Sequence, residues 1–597
     1  MGENVEFSLM DIERRSYKEL PTYAARVREH LIEHFSKNGG HVGSNLGIVE
    51  LLLSVLKEFD YTRDYVIFDT GHQSYLMKLF TPRPKEFASI RKLGGLSGFM
   101  DKHENRFDRY ISGHGGAGFS TAVALSQALE RDDGAGTKNV VCVIGDAALA
   151  EGVALEALNN IRVAGGARLI VVLNDNGYSI EQNVGNINGL LRDPALAERF
   201  FTLFGLEYVY CEDGHDLAAL ASAWAHVKRS RANCVLHART RKGHGLPVAE
   251  GDVARKMHYT EPFFPDTGAR RTPVSGTIRY VDVNSITLAE LREEGKDVVV
   301  VTQAMRGGNG LDEFHARFPE SFVDVGMCEQ HALSSANGIS IAGKIPIIAL
   351  HSAFLPRAFD QIFQDICLQN IHAVILVARS GLAGPDGPTH HGVFDMSYLR
   401  CLPNLQMIGP KSGEEYFAAI RHAVMQARGP IAVLTPHANT TFSLNDARAT
   451  VVDEPLDCMQ RGHDVLIVAT GPLIDDAKRL IQHITANGYS CGLVHLRWIK
   501  PLAVDALKDH MQHYAFIVVL EENTVIGGIG SEIAKLSAED KTMPPVRLFG
   551  VNDCFLPHGD IPGLRRLAGL APEDIFAQLP LWTREPRGRA PASGANV

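Results

Sequence analysis

The sequence predicts an α/β protein made of three doubly wound domains with mainly parallel sheets, and three observations carry that expectation. Short apolar runs recur along the 597-residue chain, each followed by a turn and a longer amphipathic stretch. That alternation gives parallel strands covered by helices. The runs fall into three blocks, expected over 1–265, 276–445 and 461–583. At roughly 150 residues per domain, the length accommodates three or four such units.

In the first block the clearest strands are VVCVIG (Val140–Gly145) and LIVVLN (Leu169–Asn174), with ALAEGVALEALNNIRVAG between them as one helix. The stretch PFFPDTGARRTPVSG, rich in Pro and Gly, reads as a linker. The second block offers DVVVVT (Asp297–Thr302), IPIIAL (Ile345–Leu350) and AVILVA (Ala373–Ala378) as strands. In the third, DVLIVATG, CGLVHLR and AFIVVLEEN play the same part. The Pro/Gly/Ala-rich tail at 584–597 is expected to be disordered.

Composition excludes several function classes. With 45% hydrophobic and 21% charged residues the chain has ample material for buried cores. A net charge of -10 argues against nucleic acid or an anionic membrane as the main partner. The nine cysteines form no C-x-x-C pair and sit mostly in apolar runs, which fits a reducing, cytoplasmic setting. No basic-then-apolar leader is visible at the N-terminus, and no apolar run reaches the roughly 18 residues needed to span a bilayer.

The strongest local signal pairs Gly145-Asp146 after one strand with Asn174-Asp175-Asn176 after the next. In a parallel sheet both emerge at the carboxyl edge, where doubly wound folds bind ligands. Mg²⁺ takes oxygen ligands and shares them with phosphates. Asp146 and Asn176 offer a carboxylate and an amide oxygen, and the Tyr178 carbonyl could add a third ligand. A helix starting beside Asp146 would favour a diphosphate at its free N–H groups. Taken singly, each half is a plain turn.

Three Gly-His pairs follow the same logic: Gly40-His41, Gly71-His72 and Gly113-His114. Flanking glycines let a backbone approach a ligand closely, and imidazoles there move protons near neutral pH. A lone one would more often be a turn or core histidine. In the second block Glu329 opens a helix in VDVGMCEQHALSSANG, and Phe354 lies in HSAFLPRAFDQ. Glu329 alone is equally a helix N-terminal charge, and Phe354 is equally a core ring.

Taken in order, GGHVGSNLGIVEL, FDTGHQSYLMK, GGLSGF, SGHGGAGFS, VIGDAALAEG, LNDN, RKGHG, AMRGGNG, CEQHAL, FLPRAFDQ, GPDGPTHHGVFD, YLRCLPN and EENTVIGGIGS cover nearly the whole chain. This series resembles the 1-deoxy-D-xylulose-5-phosphate synthase family of transketolase-like enzymes. The resemblance implies a diphosphate-binding, a pyrimidine-binding and a C-terminal domain, thiamine diphosphate with Mg²⁺, and a homodimer. It implies Gly145, Asp146, Ala147, Asn176 and Tyr178 at the metal and diphosphate. Glu329 would be the acid that activates the aminopyrimidine and Phe354 the ring stacked on it. His41, His72, His114 and His390 match active-site histidines, and Arg357, Arg379 and Asp386 match substrate positions. His258 is a looser match, shifted by a residue. EENTVIGGIGS is read as dimer scaffold.

The chain also departs from the family. Ala147 and His351 stand where Gly and Tyr are usual. A long insertion shrinks to INGLLRDPALAERFFTL, and the phosphate-holding Arg-Tyr-Pro-Arg-Gly segment reads Leu434-Thr435-Pro436-His437-Ala438. Neither Leu nor neutral His replaces an Arg fork.

The implied reaction is decarboxylative two-carbon transfer from pyruvate to an aldehyde. With D-glyceraldehyde 3-phosphate it gives 1-deoxy-D-xylulose 5-phosphate for isoprenoid or vitamin supply, and Arg379 and Lys411 then hold the phosphate. The alternatives are an acyloin synthase with another acceptor, a transketolase with a ketose donor, and a non-catalytic cofactor-binding scaffold.

Overall fold

The computed structural model describes residues 7–129, 138–161, 167–272, 276–471 and 473–579, so the expected disordered tail at 584–597 lies outside the described residues. The chain divides into two units, 1–274 with two short pieces around 304 and 326, and the remainder from 275 onward.

In the first unit, β1 (Tyr65–Phe68), β2 (Asn139–Gly145), β3 (Arg168–Asp175), β4 (Glu207–Cys211) and β5 (Cys234–Arg239) form a parallel sheet ordered β1-β2-β3-β5-β4. Its central strands are apolar without interruption because both faces are covered. Val141, Val143, Ile170 and Val172 pack with helices Leu20–Asn38, Val49–Glu58 and Leu217–Arg229. Val140, Cys142, Ile144, Leu169 and Val171 pack on the other face with helices Ala117–Leu129 and Pro194–Leu203.

Two sequence expectations change here. The single helix expected after β2 is two, Asp146–Leu149 and Gly152–Asn159, because Glu151, at the N-cap position of the second, turns extended (φ -68°, ψ 147°). The presumed linker is anchored at its start: Phe263 is buried, its N–H donates to the Ser36 carbonyl (3.1 Å), and Arg271 Nε donates to that same oxygen (2.8 Å). The shortened insertion folds as helices Asn186–Leu191 and Pro194–Leu203, the second capped by Asp193 and burying Ala197 and Phe201.

The second unit contains β6 (Ile278–Arg279), β7 (Val298–Thr302), β8 (Phe322–Asp324), β9 (Ile345–His351), β10 (Val374–Ala378), β11 (Gln406–Ile408), β12 (Ile431–Leu434) and β13 (Asn439–Thr440). After these come β14 (Leu456–Gln460), β15 (Val465–Ala469), β16 (Cys491–Leu496), β17 (Trp498–Lys500), β18 (Phe516–Thr524) and β19 (Val546–Val551). One sheet runs β17-β11-β12-β10-β9-β7-β8 and another β14-β16-β15-β18-β19, with β6 and β13 as a short antiparallel ribbon. The central strands are again parallel, while β17 and β14 run antiparallel at the edges.

β17 follows a strand of the last sheet yet completes the middle one, pairing with β11. Trp498 sits in the middle core, and its indole N–H donates to the Val452 carbonyl at 2.7 Å. Among the described residues no helix is long and apolar enough to cross a membrane.

Candidate active site

The register of β2 and β3 places Gly145 beside Asn174, so Asp146 and Asp175–Asn176 leave the sheet side by side. Asp146 is buried, and its Oδ2 accepts from the Gly177 N–H (2.7 Å) and from Asn183 Nδ2 (2.9 Å). Asn176 Oδ1 accepts from the Tyr178 N–H at 3.0 Å, and the loop closes through Asn183 N–H to the Gly177 carbonyl at 2.9 Å. Asn183 Oδ1 is buried with no hydrogen-bond partner.

Burial, and then the Asp175 carboxylate beside it, push the Asp146 pKa well above the usual carboxylate range. Asp175 is itself buried, but hydrogen bonds and charge from His237 (2.8 Å) and Arg239 (2.5 Å) carry its pKa below normal. The Asp146 carboxyl, buried against the Asp175 carboxylate with an orphaned amide oxygen beside it, leaves negative charge and an open acceptor that a divalent cation satisfies. A Cβ on Gly145 would meet nothing within 4 Å, which leaves space for a diphosphate. The residues therefore fit both groups. Ala147 lies inside the short helix, where alanine needs no glycine-like freedom.

The histidines gather nearby in the same unit. The His41 ring centroid lies 5.5 Å from that of His72 and 5.6 Å from that of His258, and His72 and His258 are 5.2 Å apart. Asn45 ties the two turns together, its Nδ2 donating to the His41 and His72 carbonyls, both at 2.8 Å. His114 lies in the glycine-rich turn before helix Ala117–Leu129, where the Gly116 and Phe119 amides donate to Asp69 after β1. Burial, with Lys242 nearby, lowers the His72 pKa to about 3.

Lys242, Asp175 and Asn45 lie within the motifs RKGHG, LNDN and GGHVGSNLGIVEL, yet nothing in the sequence assigns them a role. Lys242 Nζ donates to the Ser179 carbonyl and lies 2.9 Å from His258 Nδ1. Burial lowers its pKa to about 7, against the pull of Asp146. The signal available was a lysine beside glycine at the end of β5; its burial was not visible from sequence.

The second unit holds the remaining candidates, among them His351 at the carboxyl end of β9 and Arg379 just after β10. Glu329 opens helix Glu329–Ile341 and is 5% exposed. Burial raises its pKa to about 7, and its Oε2 has no hydrogen-bond partner, with Arg357 NH1 at 4.0 Å. A buried carboxyl with an open hydrogen-bond position suits the ring nitrogen of an aminopyrimidine. His351 ends β9, with its ring nearly parallel to that of Phe354 (6.4 Å, 12°), and His390 meets Phe354 edge-on at 5.8 Å. Burial, then the Arg379 charge, hold His351 neutral.

Arg379 follows β10 in a left-handed conformation (φ 57°), and its NH1 lies 3.4 Å from Asp386 Oδ2. His437 Nδ1 faces the Ala383 carbonyl at 2.8 Å, and burial lowers its pKa to about 4. Lys411, expected at a phosphate, instead pairs with Asp457 and approaches Glu415 at 3.8 Å. It is spent joining the second and third sheets. Asp395, also missed, is buried and accepts from Ser352 Oγ (2.8 Å) beside His351.

Three family models match the chain: 1-deoxy-D-xylulose-5-phosphate synthase over residues 5–200, the transketolase pyrimidine binding domain over 277–442, and the transketolase C-terminal domain over 456–575. Relatives named 1-deoxy-D-xylulose-5-phosphate synthase align along almost the full length. That of Methylacidiphilum infernorum is 36% identical over 95% of each chain. That of Acidobacterium capsulatum is 35% identical over 96% of this chain and 97% of its own, and that of Aquifex aeolicus 35% identical over 95% of each. With its transketolase-like α/β sheets, the chain belongs to the 1-deoxy-D-xylulose-5-phosphate synthase family and is a thiamine diphosphate-dependent transferase.

Proposed function

We propose that this enzyme transfers a two-carbon acyl unit from pyruvate to an aldehyde with release of carbon dioxide. The acceptor is D-glyceraldehyde 3-phosphate and the product 1-deoxy-D-xylulose 5-phosphate, a precursor for isoprenoid and thiamine biosynthesis. The observation that carries the reading is Glu329, a buried carboxyl shifted to about 7 with one oxygen unpartnered. The name borne by relatives of matching length supports the product.

Asp146, Asn176 and the Tyr178 carbonyl would hold Mg²⁺, with Gly145 and Ala147 at the diphosphate. When bound, thiamine diphosphate supplies the electron sink for decarboxylation. Glu329 holds a proton at its carboxyl and would hydrogen-bond the pyrimidine ring of the bound cofactor, with Phe354 as the ring stacked on it. His72, kept neutral, accepts or donates one hydrogen bond. Lys242, near 7, moves a proton at Nζ. His41, His114 and His258 orient the donor, while Arg357, Arg379, Asp386, His351 and His390 face the acceptor. The working form is a cytoplasmic homodimer.

One observation favours a second reading, an acceptor without phosphate. Arg379 faces Asp386 and Lys411 is committed to Asp457, so neither offers an undivided charge to a dianion. Incubating the enzyme with thiamine diphosphate, Mg²⁺, pyruvate and a panel of phosphorylated and plain aldehydes separates the two readings. Dominant formation of 1-deoxy-D-xylulose 5-phosphate is expected. Faster turnover of plain aldehydes would select the second reading, and ketose cleavage without carbon dioxide release would overturn both.

A further inference from the structure

We propose that the C-terminal domain serves the acceptor step, and that Glu522 is a positioning residue for the loop carrying Asp386 and His390. The proposal rests on the acceptor assignment above.

That loop, residues 380–394, has little stiffness of its own. Gly381, Gly384 and Gly387 all take left-handed φ (84°, 87° and 78°), conformations that glycine also leaves easily. Its shape must therefore be imposed from outside. On the inner side Asp395 is tied to Ser352, and Gly381 and Gly392 exchange backbone hydrogen bonds at 3.2 and 2.6 Å.

The outer side is supplied by EENTVIGGIGS at the end of β18. Alternation along the strand sends Glu521 and Glu522 to opposite faces. Glu521 accepts from the Ile529 and Gly530 amides and caps helix Ile529–Glu539. Glu522 turns toward the loop. Its Oε2 accepts from the Leu382 N–H at 3.4 Å, and a Cβ on Gly381 would meet that oxygen at 2.4 Å. Its Oε1 accepts from Arg565 Nε at 2.7 Å, and Arg565 NH1 reaches Asp476 Oδ2 at 2.8 Å.

The fastening continues along the loop. The Thr524 N–H donates to the Val393 carbonyl at 2.6 Å, and Asn523 Nδ2 to Ser397 Oγ at 2.8 Å. His391 Nδ1 accepts from the Ala383 N–H (3.0 Å), leaving Nε2 to donate to the Pro557 carbonyl (2.9 Å). Both ends and the middle of the acceptor loop are thus held by the C-terminal domain. Glu522 holds the first hinge, directly after Arg379. EENTVIGGIGS, expected as dimer scaffold, thereby gains a role close to the chemistry that is compatible with that expectation.

The test uses the full-length holoenzyme with Glu522→Ala and Glu522→Gln. Small displacements of a positioning element cost on the order of 10–100-fold. Glu522→Ala should therefore raise the KM for the aldehyde by that factor. Pyruvate-dependent carbon dioxide release without acceptor should stay within about twofold. Glu522→Gln keeps an oxygen for the Leu382 amide and should fall between. Amide exchange should quicken over 380–394 but not over β9.

Unchanged acceptor KM with unchanged exchange would overturn the proposal, as would equal losses in both half-reactions. Should alanine prevent folding, Glu522→Gln carries the same comparison. If wild-type enzyme ignores pyruvate, the functional reading fails, while the exchange experiment still decides the role of Glu522.

Discussion

Replacing Glu329 by Gln should make the apo-protein more stable while abolishing turnover, and the stability gain should depend on pH in a fixed direction. Burial raises the Glu329 pKa from 4.5 to about 7. At about 1.4 kcal/mol per unit, ionising this carboxyl costs the folded chain about 3 kcal/mol. Below pH 4.5 both folded and unfolded chains are protonated at this site and nothing is lost. Between 4.5 and 7 the unfolded chain ionises first, so wild-type stability falls as pH rises. Above 7 the whole deficit is present. Glutamine is never charged, so the variant should match wild type near pH 4 and exceed it by up to about 3 kcal/mol at pH 8. Arg357 at 4.0 Å makes this an upper value. Urea unfolding of both apo-proteins from pH 5 to 8 measures the difference. A gap that does not grow with pH, or a wild type more stable at pH 8, would refute the argument. Turnover should vanish because an amide does not exchange a proton with the ring.

Asp175→Asn should weaken Mg²⁺ binding about 10–100-fold, because Asp175 orients the Asp146 side of the site without being a named ligand; titration with Mn²⁺ by electron paramagnetic resonance reads this, and unchanged affinity would count against the carboxylate pair. Lys242→Met should flatten the limb of the pH–rate profile near 7, with cofactor affinity kept; a profile identical to wild type would remove Lys242 from proton transfer. His437→Arg adds a guanidinium beside the Ala383 carbonyl and should lower KM for a phosphorylated aldehyde about tenfold, with plain aldehydes unaffected. Equal effects on both would show that this position does not meet the phosphate.

Much of the frame was legible because parallel strands covered on both faces leave uninterrupted apolar runs. Val140–Gly145, Leu169–Asn174, Ile345–Leu350 and Ala373–Ala378 all lie within or next to observed strands. That Asp146 and Asn176 share one edge, where the metal and diphosphate are proposed, was legible for a related reason: residues immediately after consecutive parallel strands must share one edge. What was not legible depends on long-range pairing. Lys411 looked available because its partner Asp457 lies 46 residues on, in another sheet. Asp395 and Glu522 carry no local mark of their task, since hydrogen bonds to Ser352 and Leu382 appear only once three segments meet. The broken helix after Asp146 was hidden because Ala-Glu-Gly is compatible with either a helix or a turn, and the extended Glu151 decided it.

The edge strand β17 has a consequence for how this chain can be made or cut. Its three residues are synthesised after β14, β15 and β16, yet they close the side of a sheet begun near residue 298. Until the ribosome has passed Lys500, β11 presents an unpaired edge, and exposed edges invite pairing with other chains. A fragment ending near residue 445 would carry that liability permanently. Separately expressed halves would therefore need a cut well before β7, since a cut just beyond β17 would part β15 from β18, and a break between the second and third sheets should give aggregates rather than two soluble domains.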